Sequence, residues 1–191
     1  MNRSQKIIFW VLLILTFLFP IAFTPNTLFP WQFGKTMLLQ ITVSALMIWI
    51  LIVPGLREKF FRVIGGLGKH EIAFGVFVGV FLVAALFGIN PLKSFFGDQA
   101  RTGGAMTWIL FLGLYFLWRV FLFENIHGTK IAVRVFGATT ALVALSAILQ
   151  PWIPIWGISS QGWFNGGRLS GIGGNPVFLA AILFMPLFFA S

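Results

Sequence analysis

Arg101 and Arg168 are the two residues of this sequence best suited to hold a phosphate. A guanidinium is permanently charged, and its planar fork of donors matches the oxygens of a phosphate group. Each arginine stands among glycines: Arg101 in "GDQARTGGAMTW", residues 97–108, and Arg168 in "GRLSGIGGNPVFLA", residues 167–180. Glycine allows close backbone approach, and successive exposed N–H groups can form an anion-binding nest. The second is the richer: the longer run "SSQGWFNGGRLSGIGGNP" around it places Gly162, Gly166, Gly167, Gly171, Gly173 and Gly174 ahead of Asn175 and Pro176. Asn175 suits the cap of a following helix and Pro176 its first turn. The positive end of that helix dipole would then face the same space as Arg168. Each stretch has a plainer alternative. Asp98, three residues before Arg101, can pair with it on a short turn, and the loop around Arg168 can be flexible with one surface arginine.

The elements that must position these arginines are membrane spans. The chain is 59% hydrophobic and 9% charged, with a mean hydropathy of +0.97. Soluble domains are about a quarter charged, so an ordinary soluble fold is excluded. Runs of about 20 apolar residues suit a bilayer crossing. They occur at Ile7–Phe23, Thr36–Val53, Ile72–Ile89, Gly104–Phe121 and Ile131–Leu149, with a sixth beginning at Val177. Asn90-Pro91 ends the third, because proline cannot continue the helix ladder and restricts the residue before it. The first run follows Arg3 and Lys6 but lacks a small-residue cleavage site, which reads as a retained signal anchor. The expected fold class is all-α: a polytopic membrane helix bundle, one membrane domain over residues 1–191, with about five full spans and a partial sixth.

Charge sets the expected direction. If every run crosses, nine cations share one side: Arg3, Lys6, Arg57, Lys59, Arg62, Lys69, Arg119, Lys130 and Arg134. Four share the other: Lys35, Lys93, Arg101 and Arg168. The positive-inside rule makes the first side, and the amino terminus, cytoplasmic. A formal charge of +9 is then explained by lipid headgroups and orientation, and no basic nucleic-acid-binding module is present. The four outer cations stand against the topological bias. Lys93 reads as an interfacial snorkelling residue, and Arg101 and Arg168 as ligands of an anion. The sixth run, Val177–Ser191, is too short to span; its last carbonyls would lie unpaired in hydrocarbon. The expectation is that the chain forms the amino-terminal part of a longer enzyme, the other possibility being a half-helix buried in protein.

Other patterns carry less. There is no cysteine, hence no disulfide or thiolate metal site, and His70 and His127 alone make no metal site. "GKT" at 34–36 lacks the leading glycine and preceding strand of a phosphate-binding loop, and "GIGG" follows no strand. Gly75 and Gly79 form a G-x-x-x-G that lets a neighbouring helix come close. Trp31, Trp108, Trp152, Trp156 and Trp163 read as an aromatic belt at the outer interface. His70, Glu71, Glu124 and His127 fall at inner span ends, where solvation is the default.

Three stretches, in this order and on one side, resemble the amino-terminal half of the O-antigen ligase/polymerase superfamily: "FPWQFGKTMLLQ", "NPLKSFFGDQARTGGAMTWILF" and "GRLSGIGGNPVFLAAILF". The resemblance runs from about residue 25 onward. It implies a bacterial inner-membrane enzyme, multi-pass, that transfers a glycan from an undecaprenyl-diphosphate carrier to an acceptor at the outer face. It further implies that Arg101 and Arg168, and more weakly Lys35, bind the diphosphate, with Gly166, Gly167, Gly173, Gly174 and Asn175 supporting the loop and helix cap. No cofactor and no metal are implied, because fixed guanidinium groups stabilise charge developing on the diphosphate leaving group. The partners implied are the polyprenyl-linked glycan and membrane lipids. Two departures stand out: Ala100 precedes Arg101 where the family often has an acid, and the family's functional histidine and large outer loop have no counterpart among these residues. The competing expectations are a transporter or flippase fragment for a lipid-linked anion, which would want polar residues at mid-membrane, and a non-catalytic membrane scaffold.

Overall fold

The computed structural model describes residues 3–22, 30–97, 104–122 and 126–149. Every regular element among them is helical: α1 (Arg3–Ile21), α2 (Pro30–Ile52), α3 (Pro54–Gly65), α4 (Lys69–Leu86), α5 (Pro91–Phe96), α6 (Ala105–Leu117) running into a π-helical turn (Trp118–Leu122), and α7 (Ile126–Leu149). Five stretches are long and apolar enough to cross a membrane: Arg3–Ile21, Gly34–Ile52, Lys69–Leu86, Ala105–Leu122 and Ile126–Leu149. These are the five full runs expected from sequence, and they make the chain a multi-pass membrane protein by length and composition. The partial sixth run at Val177 lies outside the described residues.

The packing order differs from the chain order. α1 packs against α7 and α2, α2 against α6, and α6 against α4. The π turn at the end of α6 reaches back to α1, α7 and α3. One cluster runs through this arrangement. It takes Ile8 and Leu12 from α1, Leu39, Val43, Leu46 and Ile50 from α2, Leu110, Leu114 and Leu117 from α6, and Val120, Phe121 and Leu122 from the π turn. In α1, α2 and α6 the intervals of three and four put each set on one helix face, whereas the three π-turn residues are consecutive. Between helices in hydrocarbon, close van der Waals fit supplies the attraction, since lipid tails are as apolar as leucine. A smaller cluster joins Val143 and Ala147 of α7 to Ile21 of α1.

Two helices were not expected from the apolar runs. Val53 is extended (φ −90°, ψ 110°) and Pro54 opens α3, because proline disfavours helix at the residue before it. The chain therefore turns off at the end of α2 and lays a twelve-residue helix across the bundle end. α5 is a six-residue helix whose Asn90 Oδ1 accepts the Lys93 N–H at 3.1 Å. Contrary to the expectation from sequence, the third span has already ended at Leu86, and Asn90-Pro91 opens a new helix instead.

Among the described residues the G-x-x-x-G of α4 brings no helix close. A methyl group on Gly75 or Gly79 would meet no atom within 4 Å. α4 buries only Val78 and Ala85 and leaves Ile72, Val76, Val80 and Val83 exposed, the surface expected of an edge helix facing lipid. The close approach lies elsewhere, at Gly113 of α6, where an added Cβ would come 3.3 Å from Val43 Cγ1 of α2. Gly75→Ala and Gly79→Ala should each leave stability unchanged or raise it by up to about 1 kcal/mol through helix propensity. Denaturant unfolding in micelles checks this, and a clear loss would reveal a partner helix on that face.

Candidate functional site

The parallel course of α2 and α6 fixes which residues share an end. α3 follows α2 directly and touches the π turn that ends α6. Lys59 of α3 lies with its ammonium 5.2 Å from the Phe121 ring centroid, and Arg119 Nη2 donates to the Gly66 carbonyl at 3.3 Å. The last turns of α2 and α6 are therefore together, and so are their first turns. Val43 meets Gly113. Lys35 and Ala105 each stand eight residues earlier, about 12 Å up their helices at 1.5 Å per residue. Lys35 is thus level with the first residue of α6.

Lys35 is half-buried. It stands four residues before Leu39, at the head of the stripe Leu39, Val43, Leu46 and Ile50 that faces the bundle interior. A lysine on the lipid face would point outward; this one tops the inward face.

The α4–α5–α6 corner occupies the same end. Phe87 closes α4 by donating its N–H to the Val83 carbonyl. Ser94 and Gly97 donate to the carbonyls of Asn90 and Lys93 at 2.9 and 2.8 Å. Gly97 has φ 86° and ψ 176°, a region open to glycine and costly for any side chain. Gly104, capping α6, has ordinary angles but no room: an added Cβ would overlap the Gly97 nitrogen and the Phe95 carbonyl. The chain that leaves at Gly97 returns at Gly104 against the same backbone. Arg101 and Asp98 belong to the six residues between these glycines. Beneath the corner, Trp108 packs against Phe77, Phe81 and Phe111, with ring centroids 5.2, 5.8 and 6.1 Å away. Trp108, expected from sequence at an interface, is thus a packing residue.

No family model matches the chain, and no curated protein and no solved structure is detectably similar to it.

The remaining site residues expected from sequence, Arg101, Arg168, Gly166, Gly167, Gly173, Gly174 and Asn175, lie outside the described residues. Among the described residues no group of three or more His, Cys, Asp or Glu side chains could hold a metal ion. The described part thus supplies Lys35, the exposed Lys93 and a closed loop base at the cation-poor end. In the sequence that closure leaves one trace, a glycine at each end of the loop.

The opposite end holds a polar cluster that the sequence reading missed. Glu71 does not lie solvated at a span end. Its carboxylate pairs with the Arg119 guanidinium and accepts from the Tyr115 hydroxyl at 3.2 Å, and its side chain is 14% exposed. Arg119 is part of the π turn, not of a connecting loop. At the start of that turn Trp118 N–H donates to both the Leu114 and Tyr115 carbonyls, and Val120, Phe121 and Leu122 are buried in succession. His70 and His127 are exposed, as expected from sequence. Glu71 and Arg119 are 48 residues apart, so no local spacing announced the pair. It ties α4 to the end of α6. Glu71→Gln should lower the unfolding temperature clearly, because Arg119 loses its counter-charge in a part-buried site. Exposed Glu58→Gln should not, and thermal melting of both variants in one detergent separates them.

Proposed function

We propose that this chain carries the carrier-lipid site of a membrane glycosyltransferase of the O-antigen ligase type. The enzyme would move a glycan from undecaprenyl diphosphate to an acceptor at the outer face of a bacterial inner membrane. The cation-poor end is that outer face, and the amino terminus is cytoplasmic. Lys35, Arg101 and Arg168 bind the diphosphate, and the glycines around Arg168 with Asn175 offer further N–H donors. The observation that carries this reading is Lys35. An ammonium heads the inward stripe of α2, level with the start of α6 and the closed base of the Arg101 loop. A polyprenyl diphosphate needs this combination: cations at the membrane surface, beside helices that can flank its tail.

In the transfer step the bond from the sugar to the diphosphate breaks and the negative charge grows on the leaving group. Fixed guanidinium and ammonium groups stabilise that charge where water is scarce. Their role in binding is directly testable. Titrating the purified chain with undecaprenyl diphosphate in neutral micelles should give an affinity that falls about tenfold or more for Lys35→Gln, as expected for a lost charged hydrogen bond. Lys130→Gln, at the other end, should leave it unchanged. Equal affinity in wild type, Lys35→Gln and Arg101→Ala would overturn the assignment.

A further inference from the structure

The opposite end of the bundle carries a second feature that the glycan-transfer reading does not use. α3 is twelve residues long, about 18 Å, too short to cross a hydrocarbon core of about 30 Å. It lies across the bundle end. Leu56 and Phe60, one turn apart, are buried at 0% and 4% exposure, and Val63 and Ile64 pack on the same cluster. The other face carries Arg57, Glu58, Phe61 and Arg62, all exposed. Phe61, at 53% exposure, stands next to Arg62 in sequence and one turn from Arg57. Cations flanking an outward aromatic ring are the signature of a helix lying in the headgroup layer.

The surroundings reinforce the sign. Arg3, Lys6, Lys69, Lys130 and Arg134 belong to the same end by the alternation of the spans, and all are exposed. Glu71 is engaged by Arg119. That leaves Glu58 as the exposed carboxylate of this end among the described residues.

We infer that the outer face of α3 is a binding surface for anionic phospholipid headgroups, with Arg57 and Arg62 contacting the phosphates and Phe61 seated at the acyl boundary. This does not depend on the diphosphate reading, which concerns the other end of the bundle. Anionic lipid is favoured over a soluble acidic partner because α3 lies at the level where the spans leave the hydrocarbon, and its exposed ring would otherwise face water.

The test is native mass spectrometry of the whole chain in neutral micelles containing equal phosphatidylglycerol and phosphatidylcholine. Wild type should retain phosphatidylglycerol preferentially. Arg57→Gln with Arg62→Gln should reduce that preference about 25-fold, at about fivefold per cation at a membrane surface. Lys130→Gln with Arg134→Gln should keep most of it. Unfolding temperature in phosphatidylcholine alone verifies that the variants are folded, and Arg62→Gln alone carries the test if the pair is not. Equal retention of both lipids by wild type, or an undiminished preference in the α3 variants, overturns the inference. So does displacement of phosphatidylglycerol by millimolar inorganic phosphate, which would mark a free-anion site instead.

Discussion

Replacing Arg168 by alanine is expected to lower glycan transfer by about 10²–10³-fold, the usual cost of removing one donor that stabilises developing charge. Arg101→Ala should fall in the same range. Both expectations follow from the diphosphate assignment, and each has a graded partner. Arg168→Lys and Arg101→Lys keep the charge but lose the planar fork, so they should recover part of the activity and not all of it. Lys35→Gln should cost less than either arginine variant, because an ammonium is a point charge with no bidentate geometry. Transfer measured with a polyprenyl-diphosphate-linked glycan, with kcat and KM separated, discriminates the roles. A fall in kcat with KM little changed indicates charge stabilised in the transition state, and a rise in KM alone indicates carrier binding. If Arg168→Ala transfers glycan as fast as wild type, the assignment fails and the scaffold alternative gains.

Replacing Gly104 by alanine is expected to destabilise the protein by about 3 kcal/mol, the upper end of ordinary overpacking. The backbone angles at Gly104 suit any residue (φ −70°, ψ 174°), so the cost is steric, not conformational. The overlapping atoms are backbone, the Gly97 nitrogen and the Phe95 carbonyl, and backbone cannot swing away as a side chain can. Gly113→Ala is the natural comparison. Its methyl would meet Val43 Cγ1 at 3.3 Å, where a shift of a few tenths of an ångström suffices, so the loss should be about 1 kcal/mol. Gly104→Ala should also weaken undecaprenyl diphosphate binding, since opening the corner displaces the base of the Arg101 loop. Gly113→Ala should leave that affinity nearly intact. Equal stability of the two variants in micellar unfolding would mean that the corner is not closed.

The sequence alone determined that this is a helical, multi-pass protein, and where its five long helices lie. The bilayer demands about 20 apolar residues in a row, a requirement met within each segment separately and legible without knowing any neighbour. The charge asymmetry was legible for the same reason: it is a sum over loops. Asn90-Pro91 marked a chain turn, but neither short helix, α3 or α5, was legible, because they are held by Leu56 and Phe60 on the bundle end and by the Gly97–Gly104 corner. Only the tertiary structure decided which residues meet. It brought Glu71 to Arg119 across 48 residues, gave Gly75 and Gly79 no neighbour among the described residues while Gly113 met Val43, and set Lys35 level with the start of α6. Apolar spans look alike from every side. In lipid, contact is chosen by close fit between particular faces, and that fit exists only once the helices are assembled.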